Sequence, residues 1–126
     1  MGLLGKLKGA ILDQPPQPAK QSARLYEYGS RYFICSVRWI AEIGTPSVLP
    51  CDVDSEELGV SILRHLSEFD PSELDLRDRK KSDWPAFQAS GAKSVKQFEA
   101  DAWYCDLSKR GTCFEVWAGP CMTLNQ

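Results

Sequence analysis

Residues 24–40 read RLYEYGSRYFICSVRWI, two runs of aromatic and branched side chains parted by Gly29-Ser30. Runs of this composition favour strands, and a glycine-containing pair between them fits a two-residue hairpin turn. The stretch therefore predicts one strand over 24–28 and a second over 31–40. Along the second, Phe33, Cys35, Val37 and Trp39 share an apolar face. Tyr32, Ile34, Ser36 and Arg38 form a mixed face, expected to be partly exposed or covered by another layer. Further on, Pro46 and Pro50 bracket Ser47-Val48-Leu49. Proline lacks the ladder donor, so a third strand here belongs at a sheet edge or is an extended connection.

Downstream the apolar period lengthens from two to about 3.6, which predicts a helix over 55–69. Asp54 is placed to cap its first turn while Glu57 reaches back, and Glu56 adds charge near the positive helix end. Leu58, Ile62, Leu66 and Phe69 make the expected buried stripe, with Leu63 widening it; Ile62→Asp is expected to unfold the domain. Pro71 ends the helix. Residues 70–83 mix acids, Leu74, Leu76 and the run Arg77-Asp78-Arg79-Lys80-Lys81, which reads as an exposed loop. Short helices are expected from Asp83 to near Gly91 and, opened by Ser94 with Gln97, to about Ala100. The chain closes in a hairpin, strands over 103–107 and 112–118 around a turn at Lys109-Arg110-Gly111. The fold class is α+β: a mainly antiparallel sheet built from N- and C-terminal hairpins, packed against a central helix plus short helices.

Residues 1–21 are set apart from this single domain of 22–126. Leu3, Leu4, Leu7 and Ile11 recur at helical spacing, so 2–12 is expected to form an amphipathic helix, packed on the domain or free as a tail or membrane-surface helix. Pro15, Pro16 and Pro18 then favour an extended spacer. Of 126 residues, 43% are hydrophobic and 25% charged, ordinary for one globular core. No apolar run reaches the roughly 20 residues that cross a bilayer. Lys6 and Lys8 interrupt any signal-peptide core, and Lys6 stands where myristoylation wants Ser or Thr. A cytoplasmic protein is expected. The five cysteines are odd in number and lack a C-x-x-C pair, so they read as reduced core hydrophobes. With one histidine, they do not match a zinc site. No metal or cofactor is expected. Whether Cys105 and Cys113 meet depends on the register of the closing hairpin.

Charge is unevenly spread. Residues 51–83 hold ten acids against five bases, a balance of −5, while 1–50 balance at +3 and 84–126 at zero. A patch of one sign steers a partner of the other. Catalytic motifs are missing by contrast. His65 has no nucleophile at a defined spacing, no phosphate-cradling glycine loop is present, and no motif selects a glycosidase-like carboxylate pair. The acidic segment also repels phosphate, against direct nucleic-acid binding, with the basic cluster 77–81 the one feature in its favour.

Two segments bear jointly on function: Asp54-Ser55-Glu56-Glu57-Leu58-Gly59-Val60-Ser61-Ile62-Leu63-Arg64-His65-Leu66-Ser67, and Trp84 through Lys93-Ser94-Val95-Lys96-Gln97-Phe98 into Trp103-Tyr104-Cys105-Asp106-Leu107. An acid-acid-Leu-Gly helix, an aromatic/Gly/Lys-Ser segment and a closing hairpin resemble immunity proteins of bacterial contact-dependent growth inhibition systems, over about residues 24–118. The resemblance implies a non-enzymatic antitoxin, which binds the C-terminal toxin domain delivered by a neighbouring cell, commonly a basic nuclease, and occludes its active site or substrate groove. It transfers no interface residue. Charge clustering places the expected contacts on Asp70, Glu73, Asp75 and Asp78, with Trp84 as aromatic anchor; Glu56 and Glu57 have a competing capping role. The alternatives are an interaction module unrelated to toxins, whose acids are merely a solvated face, and a small-molecule enzyme with a pocket around His65.

Overall fold

The computed structural model describes residues 19–119; the expected helix over 2–12 and the prolines behind it lie outside them. Strands β1 (Gln21–Tyr28), β2 (Arg31–Arg38) and β3 (Ala41–Pro50) come first. Helix α1 (Ser55–Ser67) follows, then a 3-10 turn (Lys81–Asp83), short helices α2 (Pro85–Ser90) and α3 (Val95–Asp101), and strands β4 (Trp103–Arg110) and β5 (Cys113–Gly119). The strands form one sheet in the order β3-β2-β1-β4-β5, antiparallel throughout. The α+β class and the two flanking sets of strands are as the sequence predicts.

Local chemistry explains the turns. Gly29 and Ser30 both have positive φ, 58° and 61°, the pair of left-handed residues that a right-twisted hairpin favours. Trp39, expected at the end of the strand, instead occupies the β2–β3 turn with φ of 57°. The closing turn falls at Gly111 and Thr112, slightly later than expected, because β4 runs on to Arg110. Its register sets Cys105 opposite Ala118 and Cys113 opposite Arg110, so those two cysteines do not meet, and the four described cysteines are free thiols.

The sheet is covered on both faces. Beneath one face, Ala23, Leu66 and Leu107 are buried with Leu25, Ile62 and Cys105 packed around them; this is the seat of α1. On the other, Tyr26, Phe33, Cys35, Ala86, Phe98 and Ala102 form the larger core, joined by Trp84, Phe87 and Tyr104; α2 and α3 lie here. Every side chain from Phe33 to Val37 is consequently buried, which settles the mixed face of β2 as the face under α1. The helix stripe is rotated slightly from expectation. Leu66 is buried and Ile62 half-buried, but Leu63 is exposed and His65 takes the buried position. No helix among the described residues is long and apolar enough to cross a membrane.

Candidate protein-binding site

The predicted site residues fall on the segment after α1, and backbone hydrogen bonds stitch its start to the sheet. The Trp39 amide donates to the Asp70 carbonyl (2.7 Å) and the Asp70 amide to the Val37 carbonyl (3.2 Å), a parallel bridge at Arg38. It forms where β1, paired only as far as Ala23–Ser36, leaves the end of β2 open. The Arg38 guanidinium then donates to the Glu73 carbonyl at 3.0 Å. Farther along, the Arg79 guanidinium donates to the Glu42 carbonyl of β3. The loop is thus exposed, as expected, but tied at both ends.

Its carboxyl groups are not equivalent. Asp70 accepts from the Ser72 amide (2.8 Å) and hydroxyl (2.6 Å), bonds that hold it below the usual carboxylate range. Asp75 accepts from the Arg77 amide (3.0 Å) and guanidinium (2.8 Å) and is held low by the same residue. Glu73 and Asp78 are exposed and their carboxyl groups have no partner among the described residues. Between the loop and the β2–β3 turn lies an open depression of about 630 Å³, lined by Trp39, Glu73, Leu74, Asp75, Leu76 and Arg77. Its lining sets the apolar Trp39, Leu74 and Leu76 among the charged Glu73, Asp75 and Arg77, a mixture suited to contact with another side chain.

Trp84 does not stand at this rim. Its ring meets Phe98 edge-on at 4.8 Å and Tyr26 at 5.6 Å, and its indole N–H donates to Glu42 Oε2 at 3.0 Å. Proximity in sequence to a charged loop misplaces it: Trp84 is the N-cap residue of α2, and its ring packs on the core cluster. The aromatic residue beside the acids is Trp39, 38% exposed, which sequence reasoning assigned to an apolar strand face. Sequence carries no local signal for this turn, because the strand-favouring run continues through Trp39 and Ile40 without a glycine, proline or asparagine.

Two buried polar clusters flank the core. Glu42, inward-facing on β3, accepts on Oε2 from Tyr26, Trp84 and Arg24. Burial first, and then the Glu42 charge, raises the Tyr26 hydroxyl well above its usual pKa, keeping it a donor, and does the same to the Cys35 thiol. The second cluster surrounds His65. Its Nδ1 is 2.7 Å from Ser36 Oγ, which donates to Glu68 Oε2 at 2.6 Å; its Nε2 is 2.7 Å from Ser47 Oγ, which accepts from the Arg64 guanidinium. One assignment satisfies all of these: His65 neutral, donating through Nδ1 to Ser36 and accepting through Nε2 from Ser47. Burial and then the neighbouring Arg64 lower its pKa, against an opposing pull from Glu68. Polar groups do converge on His65, as the enzyme alternative requires, but each already has a partner within the network, and the depression at Trp39 does not reach them. The described residues contain no group of His, Cys, Asp and Glu arranged to hold a metal ion.

No protein-family model and no curated protein sequence matches the chain. Among solved structures it is similar to a protein of unknown function from Neisseria meningitidis, NMB0488, at 18% sequence identity and a TM-score of 0.62, over 82% of this chain and 74% of that one. At that identity the likeness speaks for a shared fold alone.

Proposed function

We propose that this chain is an immunity protein that neutralises the C-terminal toxin domain of a contact-dependent growth inhibition system, a basic nuclease being the class that fits best. It acts in the cytoplasm without catalysis, by seating itself over the toxin's active site or substrate groove. The observation that carries the reading is the depression at Trp39, where Trp39, Leu74 and Leu76 stand beside Glu73, with Asp78 exposed farther along the same loop; neither acid has a side-chain partner among the described residues. A nuclease groove is lined with Lys and Arg for phosphate, so such carboxyl groups take the place of phosphate while Trp39 supplies the buried contact. Asp70 and Asp75, which sequence counted as equals of Glu73 and Asp78, serve here as loop-shaping residues.

The resemblance of the 54–67 and 84–107 segments supports the same reading. The test is co-expression of the toxin domain encoded beside this gene, with and without this chain, together with direct binding of the purified pair. Rescue of growth and a stable complex are expected. Full toxicity in the presence of well-folded protein rejects the proposal and leaves an interaction module of another kind.

A further inference from the structure

The two edges of the sheet are built differently. An edge strand offers unpaired N–H and C=O groups to any strand that can reach them, and proteins block this with proline, bulges and inward-pointing charge. On β3 all three are present: Pro46 and Pro50 lie within it, the register with β2 shifts between Ile34 and Ser36, and Glu42 points inward, 3% exposed. On β5 none is. Its register with β4 is regular from Cys113 to Gly119, it contains no proline, and Glu115 is its one charged residue. Phe114, Val116 and Trp117 are 57%, 64% and 62% exposed, and the neighbouring Trp103 is 53% exposed.

We infer that β5 is a self-association edge, along which two copies of this chain pair antiparallel about a two-fold axis at Val116 and join their sheets into one. The register follows from symmetry and charge. Directly opposed residues in an antiparallel ladder share a face, so the axis must pass through a residue. An axis at Glu115 would set like charges against each other, which is destabilising. An axis at Val116 pairs the whole strand: Val116 meets Val116 of the second copy, Phe114 meets Ala118, and Glu115 meets Trp117. Cys113 then faces Gly119, so the two Cys113 thiols lie at opposite ends of the interface. The surface is remote from the Trp39 depression, which sits at the β2–β3 turn, three strands away in the sheet order; a dimer carries two open depressions.

The experiment is light scattering of the full-length chain over a dilution series, with Val116→Lys and Trp117→Lys beside it. Both side chains are mostly exposed, so the circular dichroism spectra should match wild type, while the thermal midpoint should lose only the contribution of dimerisation. The expected result is a wild-type mass twice that of the 14.1 kDa chain, falling to the single-chain mass in both variants. A short bis-maleimide should cross-link Val116→Cys in a Cys113→Ser/Cys121→Ser background, and should not bridge Cys113 in wild type. A monomer at every concentration, a dimer that survives Val116→Lys, or dimerisation that appears only after removal of residues 1–18 overturns the inference; the last would show the chain's own N-terminal segment on this edge. Failure of the Val116→Cys cross-link overturns the register. Toxin protection by the Lys variants is expected to persist, so this result stands or falls apart from the immunity reading.

Discussion

Trp39 is the residue at which local cost and exposure coincide. A bulky L-residue with φ near +57° sits in a region that costs about 1–2 kcal/mol outside glycine, and such strain is found where the surroundings or function impose it. Trp39→Gly removes that cost along with a half-buried ring, so its stability in urea is expected within about 1 kcal/mol of wild type. Toxin affinity should nevertheless fall by about 2 kcal/mol or more if Trp39 is the anchor, read by calorimetry on the purified pair. Undiminished affinity would take the depression out of the interface. His65 makes a prediction of another kind. Its folded pKa is lowered, so above the unfolded value of about 6.5 both states are neutral and the network contributes in full. As pH falls below that value the unfolded chain takes up a proton that the fold resists, and stability declines until the folded pKa is passed. Asp70 and Asp75, held low by their partners, add losses only below about pH 3.9. Denaturation midpoints should therefore drop between neutral and mildly acidic pH, and His65→Asn should be less stable at neutral pH yet flatten that drop. An unchanged slope in the variant would show that His65 is not the group that titrates.

At the level of elements, α1 was the most legible. The Asp54 carboxyl caps the Glu57 amide at 2.8 Å and the helix covers Ser55–Ser67, close to the expected span, because capping and a 3.6 period are encoded within a few residues. Leu66→Ala, at a position 1% exposed between Ala23 and Leu107, is expected to cost about 2–5 kcal/mol by large-to-small truncation. Leu63→Ala, on the exposed side, should cost well under half of that in the same denaturation assay; equal losses would mean that the helix is turned on the sheet. What periodicity could not supply was the helix rotation, since His65 and Leu63 flank the stripe on opposite sides and the choice depends on Ser36 and Ser47 across the interface. The same limit applies to Trp84. Its neighbours Phe98 and Tyr26 are brought to it by α3 and β1, and no local pattern announces that meeting.

For the whole molecule, the charge imbalance was legible as a count but not as a shape. The acids of 51–83 divide between the two ends of α1, which at about 1.5 Å per residue holds its termini nearly 20 Å apart. Asp54, Glu56 and Glu57 stand by the β1–β2 turn, where the Cys51 amide donates to the Ser30 carbonyl, and the loop acids stand by the β2–β3 turn. Partnering divides the loop group again, since Arg77 already engages Asp75. A steering field directed at a basic groove should then come chiefly from Glu73 and Asp78. Glu73→Lys combined with Asp78→Lys is expected to lower the toxin association rate about tenfold at low ionic strength and to flatten its dependence on salt. Asp75→Asn should change both quantities far less, because it shifts the net charge by one where the double reversal shifts it by four. Stopped-flow association over a salt series separates the cases. If the double reversal leaves both the rate and its salt dependence as they were, the loop does not face the toxin, and the acids at the start of α1 become the surface to test.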